Sequence, residues 1–143
     1  MRTDTATGSI VLLTRLARVV YRRSTVELVG MGLKELGALA YLRDNLHASQ
    51  QALIEALCID ANSCVLLLNE LEGKGFVERR RDPQDRRRHL VTITADGMSA
   101  LERAEHAQGS IEEEVLSALN GEERDTLRRL LGQALDGQTQ SSL

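Results

Sequence analysis

The stretch Phe76-Val-Glu-Arg-Arg-Arg-Asp-Pro-Gln-Asp-Arg-Arg-Arg-His-Leu-Val-Thr-Ile-Thr94 decides how the rest of the chain is read. Two short strand-like runs flank a tip that carries the only proline, Pro83, and a cluster of arginines. Between Lys74 and His89 seven Lys/Arg stand against three Asp/Glu, a local excess of four positive charges on a 143-residue chain whose net charge is −3. A basic hairpin on an otherwise acidic chain is a local electrostatic device, and the polyanion it suits best is nucleic acid.

Immediately before the hairpin, Asp60 is placed to cap a helix over Ala61–Gly73. That helix has two faces. Cys64, Leu67, Leu68 and Leu71 follow the i, i+3, i+4, i+7 spacing of an apolar stripe, and Asn62, Val65, Leu66 and Asn69 repeat the spacing on another side. Gly73-Lys-Gly75 ends it, glycine being the usual left-handed residue there. Ser49 caps a shorter helix, Gln50–Leu57, and the turn Cys58-Ile59-Asp60 joins the two as a helix-turn-helix candidate.

Outward from this pair, Leu33–Leu46 reads as a helix with Leu36, Leu39, Ala40 and Leu42 inward. Ile10 to about Val29 reads as another, with Ile10, Leu13, Leu16, Ala17, Val20 and Leu28 at helical spacing and Gly30-Met-Gly32 as its break. After the hairpin, Thr94 caps a long helix to about Leu119, with Gly109 and Ser110 as a bend, and Asn120 with Glu123 forms a capping-box pattern for a last helix to about Leu135. The tail Asp136–Leu143 is expected to fray. The order is α-α-α-α-β-β-α-α, with room for a short extra strand before the third helix. The fold class is mainly α with a small β-hairpin wing, a winged helix-turn-helix.

Composition agrees. Aromatic residues make up 2% of the chain and hydrophobic residues 42%, so the core is built from Leu, Val, Ile and Ala, which suits helix-on-helix packing. No apolar run approaches the ~20 residues of a membrane span, and the polar start Met-Arg-Thr-Asp-Thr-Ala-Thr-Gly lacks a signal-peptide core. A cytoplasmic location is expected. Cys58 and Cys64 lie six residues apart with no second pair to complete a zinc site, and they read as two small buried apolar residues. His47, His89 and His106 show no ligand-like spacing, and no enzyme motif (GxSxG, P-loop, GxGxxG, HExxH) is present. The expectation is no enzyme, no metal and no cofactor.

With these elements in order, the chain resembles the MarR family of winged helix-turn-helix transcriptional regulators. The family's Asp-x-x-Asp-x-Arg pattern stands here as Asp82-Pro-Gln-Asp85-Arg-Arg87, followed by Ile93-Thr94-Ala-Asp-Gly97 for its Leu-Thr-x-x-Gly. Leu71-Glu-Gly-Lys-Gly75-Phe-Val-Glu-Arg79 matches the end of the recognition helix and the first wing strand. The resemblance implies a homodimer joined through residues 1–32 and 95–143, with residues 33–94 as the DNA-binding domain. Each winged domain then reads half of a pseudo-palindromic operator. The resemblance also implies a repressor released by a small aromatic or anionic effector or by oxidation, in a bacterial or archaeal cell and on the nucleoid when bound.

For DNA contact, Asn62, Ser63, Val65, Leu66 and Asn69 are the candidates for base edges. Asn pairs bidentately with adenine, whereas Val65 and Leu66 meet only thymine methyls. Many family members carry a polar or arginine residue where Leu66 stands, so this reading face is unusually apolar. Arg87 matches the family's minor-groove arginine, Asp85 braces it, and Arg86 and Arg88 meet phosphates or the groove floor. Ser49, Gln50 and Lys74 are phosphate candidates. Strand residues alternate faces, so of Arg79, Arg80 and Arg81 one or two are expected to pair with helix acids. An effector pocket is expected where the outer helices meet the winged domain, with Arg18, Tyr21, Arg22 and Tyr41 as its aromatic and cationic groups. Two alternatives stand beside this reading. One is a winged-helix module that docks a protein on Val65 and Leu66, and the other is a redox regulator using Cys58 or Cys64.

Overall fold

The computed structural model describes residues 7–141. Its elements are α1 (Ser9–Arg23), α2 (Val26–Val29), α3 (Leu33–Asp44), β1 (Ala48–Ser49), α4 (Gln50–Leu57), α5 (Ala61–Gly73), β2 (Val77–Arg81), β3 (His89–Ile93), α6 (Ala95–Val115) and α7 (Gly121–Ser141). The three strands form one antiparallel sheet in the order β1-β3-β2, so the short extra strand expected before the helix Gln50–Leu57 is present. Val77 faces Ile93 and Arg81 faces His89 in the hairpin, and Ala48 faces Val91 across the short edge.

Local chemistry sets most of the boundaries. Gly75, at φ +77°, closes α5 in a Schellman turn: its N–H donates to Glu72 O at 3.0 Å and that of Phe76 to Leu71 O at 2.9 Å. Thr94 Oγ1 accepts from Gly97 N at 3.0 Å to cap α6 and donates to Gly75 O at 2.6 Å, so one hydroxyl joins the start of α6 to the α5–β2 corner. The Asn120/Glu123 capping box forms in both directions, each bond at 2.9 Å.

The ends of three helices differ from the sequence expectation. The first helix stops at Arg23, where Ser24 N–H closes it on Val20 O at 2.8 Å before α2 begins. Ser24 leaves the helical conformation at φ −95°, ψ 64°, and Ser and β-branched Thr are weaker helix formers than the residues before them. The side chain of Leu28 lies outside the described residues. The sixth helix runs unbroken through Gly109 and Ser110 but ends at Val115, one turn short of Leu119. The last helix does not fray at Asp136 but continues to Ser141.

The core is aliphatic. Leu39 and Leu42 of α3, Leu53 of α4, Leu68 and Leu71 of α5, Val77, Val91 and Leu101 are fully buried. Each such side chain contributes about 1.5–3 kcal/mol through burial. Cys64 belongs to this core, as expected, whereas Cys58 is exposed. Cys58 takes the left-handed conformation (φ 55°) that ends α4, which turns its side chain away from the interior. Among the described residues, no single helix is long and apolar enough to cross a membrane.

Candidate nucleic-acid interface

The interface is built on the joint between α4 and α5, which bend by 110° relative to each other. Ser49 caps α4 by accepting from Ala52 N at 3.0 Å, and Asp60 caps α5 by accepting from Ser63 N at 2.6 Å. The Ser63 bonds hold the Asp60 carboxyl below the usual carboxylate range. A carboxylate with a depressed folded-state pKa contributes stability above its unfolded pKa and loses it as pH falls through the folded value. Asp60→Asn keeps a capping oxygen that does not titrate. The difference in Tm between the parent and this variant is therefore expected to move against the parent as pH falls through that acid window. A constant difference in thermal melts across the window removes the assignment.

On α5, Cys64, Leu67, Leu68 and Leu71 point into the core, while Asn62, Val65, Leu66 and Asn69 are exposed. Ser63 is half-buried beside its cap. The helix contains no Lys or Arg. Its nearest guanidinium comes from β2: Arg79 donates to Asn69 Oδ1 at 2.6 Å and to Glu72 Oε1 at 3.0 Å. Arg79 is thus the strand arginine that pairs with a helix acid, and its hydrogen bond holds the Glu72 carboxyl below the usual range.

The hairpin tip is organised by two aspartates. Asp82 Oδ1 accepts from Gln84 N at 2.9 Å, and Asp85 Oδ1 accepts from Arg87 N at 3.1 Å; the chain closes with Asp82 N to Arg88 O and Arg88 N to Asp85 O, each at 2.9 Å. Aspartate side chains that bond to the backbone two residues on are a recurrent turn device. Asp85 also pairs with Arg87 Nε at 3.3 Å, yet the Arg87 side chain is 93% exposed. Arg86 and Arg88 are exposed beside it. The result is a rigid turn that holds three guanidinium groups outward.

Between the base of this tip and the start of α4 lies a cleft of about 370 Å³ whose walls include Ser49, Gln50, Gln51, Arg87, Arg88 and His89. Ser49 is buried, and its oxygen already serves the cap. Among the described residues, Gln50 Oε1 is buried without a hydrogen-bond partner. Gln51 and His89 were not among the sequence candidates; adjacency to Gln50 and Arg88 is the only signal that pointed to them. Lys74 is tied to Glu35 of α3 at 2.9 Å, a pair between residues 39 positions apart.

On the outer side, Arg18, Tyr21 and Arg22 come together with Arg15 and Val19 along a groove of about 650 Å³. Tyr41 does not join them; it sits on α3, packed against the core. Tyr21 also lines a second groove, about 340 Å³, together with Leu33 and Lys34 of α3 and Ser63, Leu66 and Glu70 of α5. This second groove touches α5 directly. Glu70, four residues after Leu66 on the same helical face, was not among the sequence candidates. Cys64, buried, has its thiol pushed up by burial.

A helix-turn-helix with an arginine-tipped hairpin beside its second helix defines the winged helix-turn-helix class of DNA-binding proteins. Residues 33–89 match the MarR family. The chain is 36% identical over 124 residues to the transcriptional regulatory protein for the hcr operon of Thauera aromatica, covering 87% of this chain and 72% of that protein. A mutant MarR from E. coli complexed with operator DNA superposes with a TM-score of 0.74 at 25% identity, covering 87% of this chain and 91% of that one. The PcaV transcriptional regulator from Streptomyces coelicolor, in complex with its natural ligand, has the same fold, with a TM-score of 0.77 at 22% identity over 95% of this chain and 97% of that one. The chain belongs to the MarR family and is a DNA-binding transcriptional regulator rather than a member of an enzyme family.

Proposed function

We propose that the protein is a homodimeric, ligand-responsive repressor that binds a pseudo-palindromic operator in the cytoplasm. Residues 33–94 form the reading unit, with α5 in the major groove and residues 82–88 in the minor groove. Residues 1–32 and 95–143 join the two protomers. The observation that carries the reading is the braced tip holding Arg86, Arg87 and Arg88 outward on a chain of net charge −3. A narrow minor groove attracts such arginines through its enhanced negative potential. Ser49, Gln50 and Lys74 supply phosphate contacts, Lys74 exchanging Glu35 for phosphate on binding. A small aromatic or anionic effector enters beside Arg18, Tyr21 and Arg22. The solved PcaV complex with its natural ligand supports a ligand-responsive reading.

Arg87→Ala tests the wing. Its expected effect is a loss of roughly ten- to a hundredfold in operator affinity, with the slope of log K against log salt reduced by about one per protomer. Titration of a labelled operator at several salt concentrations measures both. An unchanged affinity and slope would remove the wing from the interface. A second reading, a module that docks a protein on its exposed Val65 and Leu66, draws on the lack of any Lys or Arg in α5. Failure of the parent protein to shift random duplex at low salt selects that reading.

A further inference from the structure

We infer that Arg79 determines what the recognition helix offers to a base. By holding the amide oxygen of Asn69, it leaves Asn69 as a hydrogen-bond donor. Asn69 then selects guanine over adenine at one base pair of each half-site. The inference rests on the DNA-binding reading above and adds a positioning residue and a base class to it.

Arg79 shares a face of β2 with buried Val77, so its side chain turns toward α5 and is only 22% exposed. Its Nη2 donates to Asn69 Oδ1 at 2.6 Å and to Glu72 Oε1 at 3.0 Å, and its backbone N–H reaches Glu72 Oε2 at 3.3 Å. One guanidinium thus spans two α5 side chains at i and i+3. Asn69 is nevertheless exposed, on the face that carries Val65 and Leu66. Among the described residues, its Nδ2 has no hydrogen-bond partner.

Recognition of adenine by asparagine uses both ends of the amide: Oδ1 accepts from N6 and Nδ2 donates to N7. Here Oδ1 is engaged by a charged donor, a bond roughly twice as strong as a neutral one. The carboxylate of Glu72 holds that donor in place in turn. With one lone pair of the amide oxygen held by a cation, an adenine N6–H would have to share that oxygen with Arg79, whereas the –NH2 stands open. Guanine presents N7 and O6, two acceptors and no donor, in the major groove, whereas adenine presents N7 beside the N6 donor. An amide whose open end is its donor therefore matches guanine better than adenine.

Selection from a randomised duplex library by the parent, Asn69→Asp and Arg79→Met tests the inference. Asn69→Asp keeps an oxygen for Arg79 and removes the donor, so wing packing is retained. The parent is expected to favour guanine over adenine by about tenfold at one position per half-site, within the range of a single base contact. Asn69→Asp is expected to lose that one preference and keep the others. Arg79→Met releases the amide, and adenine is expected to enter at the same position. A selected sequence unchanged in Asn69→Asp overturns the inference, as does equal loosening at every position in Arg79→Met, the mark of a merely structural brace. Binding of random duplex by the parent separates the two levels. If it binds and the selected sequence does not change, only the Asn69 assignment falls; if it binds no duplex at all, the DNA-binding reading falls and takes the assignment with it.

Discussion

A monomer that keeps its helices but loses its operator is the expected result of Leu131→Glu combined with Leu135→Glu. In the isolated chain, α1 buries none of its residues, and Ile10, Val11 and Leu13 are 76%, 51% and 45% exposed. On α7, Leu130, Leu131 and Leu135 are 49%, 41% and 55% exposed. Single exposed leucines are ordinary, but two helices that each display an apolar stripe are not, and such surfaces mark interaction sites. The visible ion pairs on these helices, Arg23 to Glu114 at 3.2 Å and Arg128 to Asp125 at 3.0 Å and to Glu112 at 3.8 Å, are exposed and contribute only about 0–1 kcal/mol each. Apolar burial must therefore hold the proposed dimer together. Two glutamates one turn apart on α7 force either their burial without partners or separation of the subunits, and separation costs less.

Operator binding responds more strongly than the mass change suggests. Two winged domains on one dimer turn the second half-site contact into an intramolecular event, which raises affinity by about 10²- to 10⁴-fold over one domain. The double variant is expected to lose that factor while retaining weak binding to random duplex, because the Arg86–Arg88 tip is untouched. Light scattering after size exclusion gives the mass, circular dichroism the helix content, and operator titration the affinity. A parent that is already monomeric at micromolar concentration, or a variant that remains dimeric and tight-binding, defeats the proposal.

The parts of the fold legible in the sequence were those with a local cause. Gly75 after an amphipathic run, Ser49 and Asp60 ahead of short helices, and the Asn120/Glu123 box each form bonds within a few residues of themselves, so spacing alone located them. The hairpin was legible for the same reason, since Asp82 and Asp85 bond to backbone two residues on. What spacing does not carry is the partner of a long side chain. Lys74 reaches Glu35, and Tyr41 packs half-buried against the core while Tyr21 stays out, and neither fact has a period. Arg79 illustrates the boundary: strand alternation implied that one or two of the three arginines pair with helix acids, but its choice of Asn69 as well as Glu72 depends on how β2 lies across α5. The break at Ser24 has no signature in the apolar pattern, which runs past it; the weak helix propensity of Ser24 and Thr25 is its only trace in the sequence.

Gly97 marks the same boundary and carries the largest expected effect on stability. The sequence shows it as the glycine after Ile93-Thr94-Ala-Asp, within the first turn of α6, where glycine is a poor helix former. The structure supplies the reason: a Cβ at Gly97 would overlap the carbonyl oxygen of Phe76 and lie 2.8 Å from Ile93 Cγ1. Phe76 O cannot move freely, because it accepts the Thr94 N–H at 2.9 Å, and Thr94 also caps α6. The side chain of Ile93 is buried against the core and has little room to yield. Gly97→Ala must therefore displace either the start of α6 or the base of the wing, although alanine is the better helix former by about 1 kcal/mol. Overpacking of this kind costs about 1–3 kcal/mol, more where backbone is the obstacle. The expected net result is a Tm lower by roughly 5–10 °C. Because the displaced segment joins α5, β2 and α6, operator affinity measured well below the melting range is expected to fall as well. By contrast, Gly73→Ala, at a helix position with open space around the added Cβ, is expected to leave Tm unchanged or raise it. Equal melting temperatures for Gly97→Ala and the parent would show that the α6–wing contact is looser than these distances require.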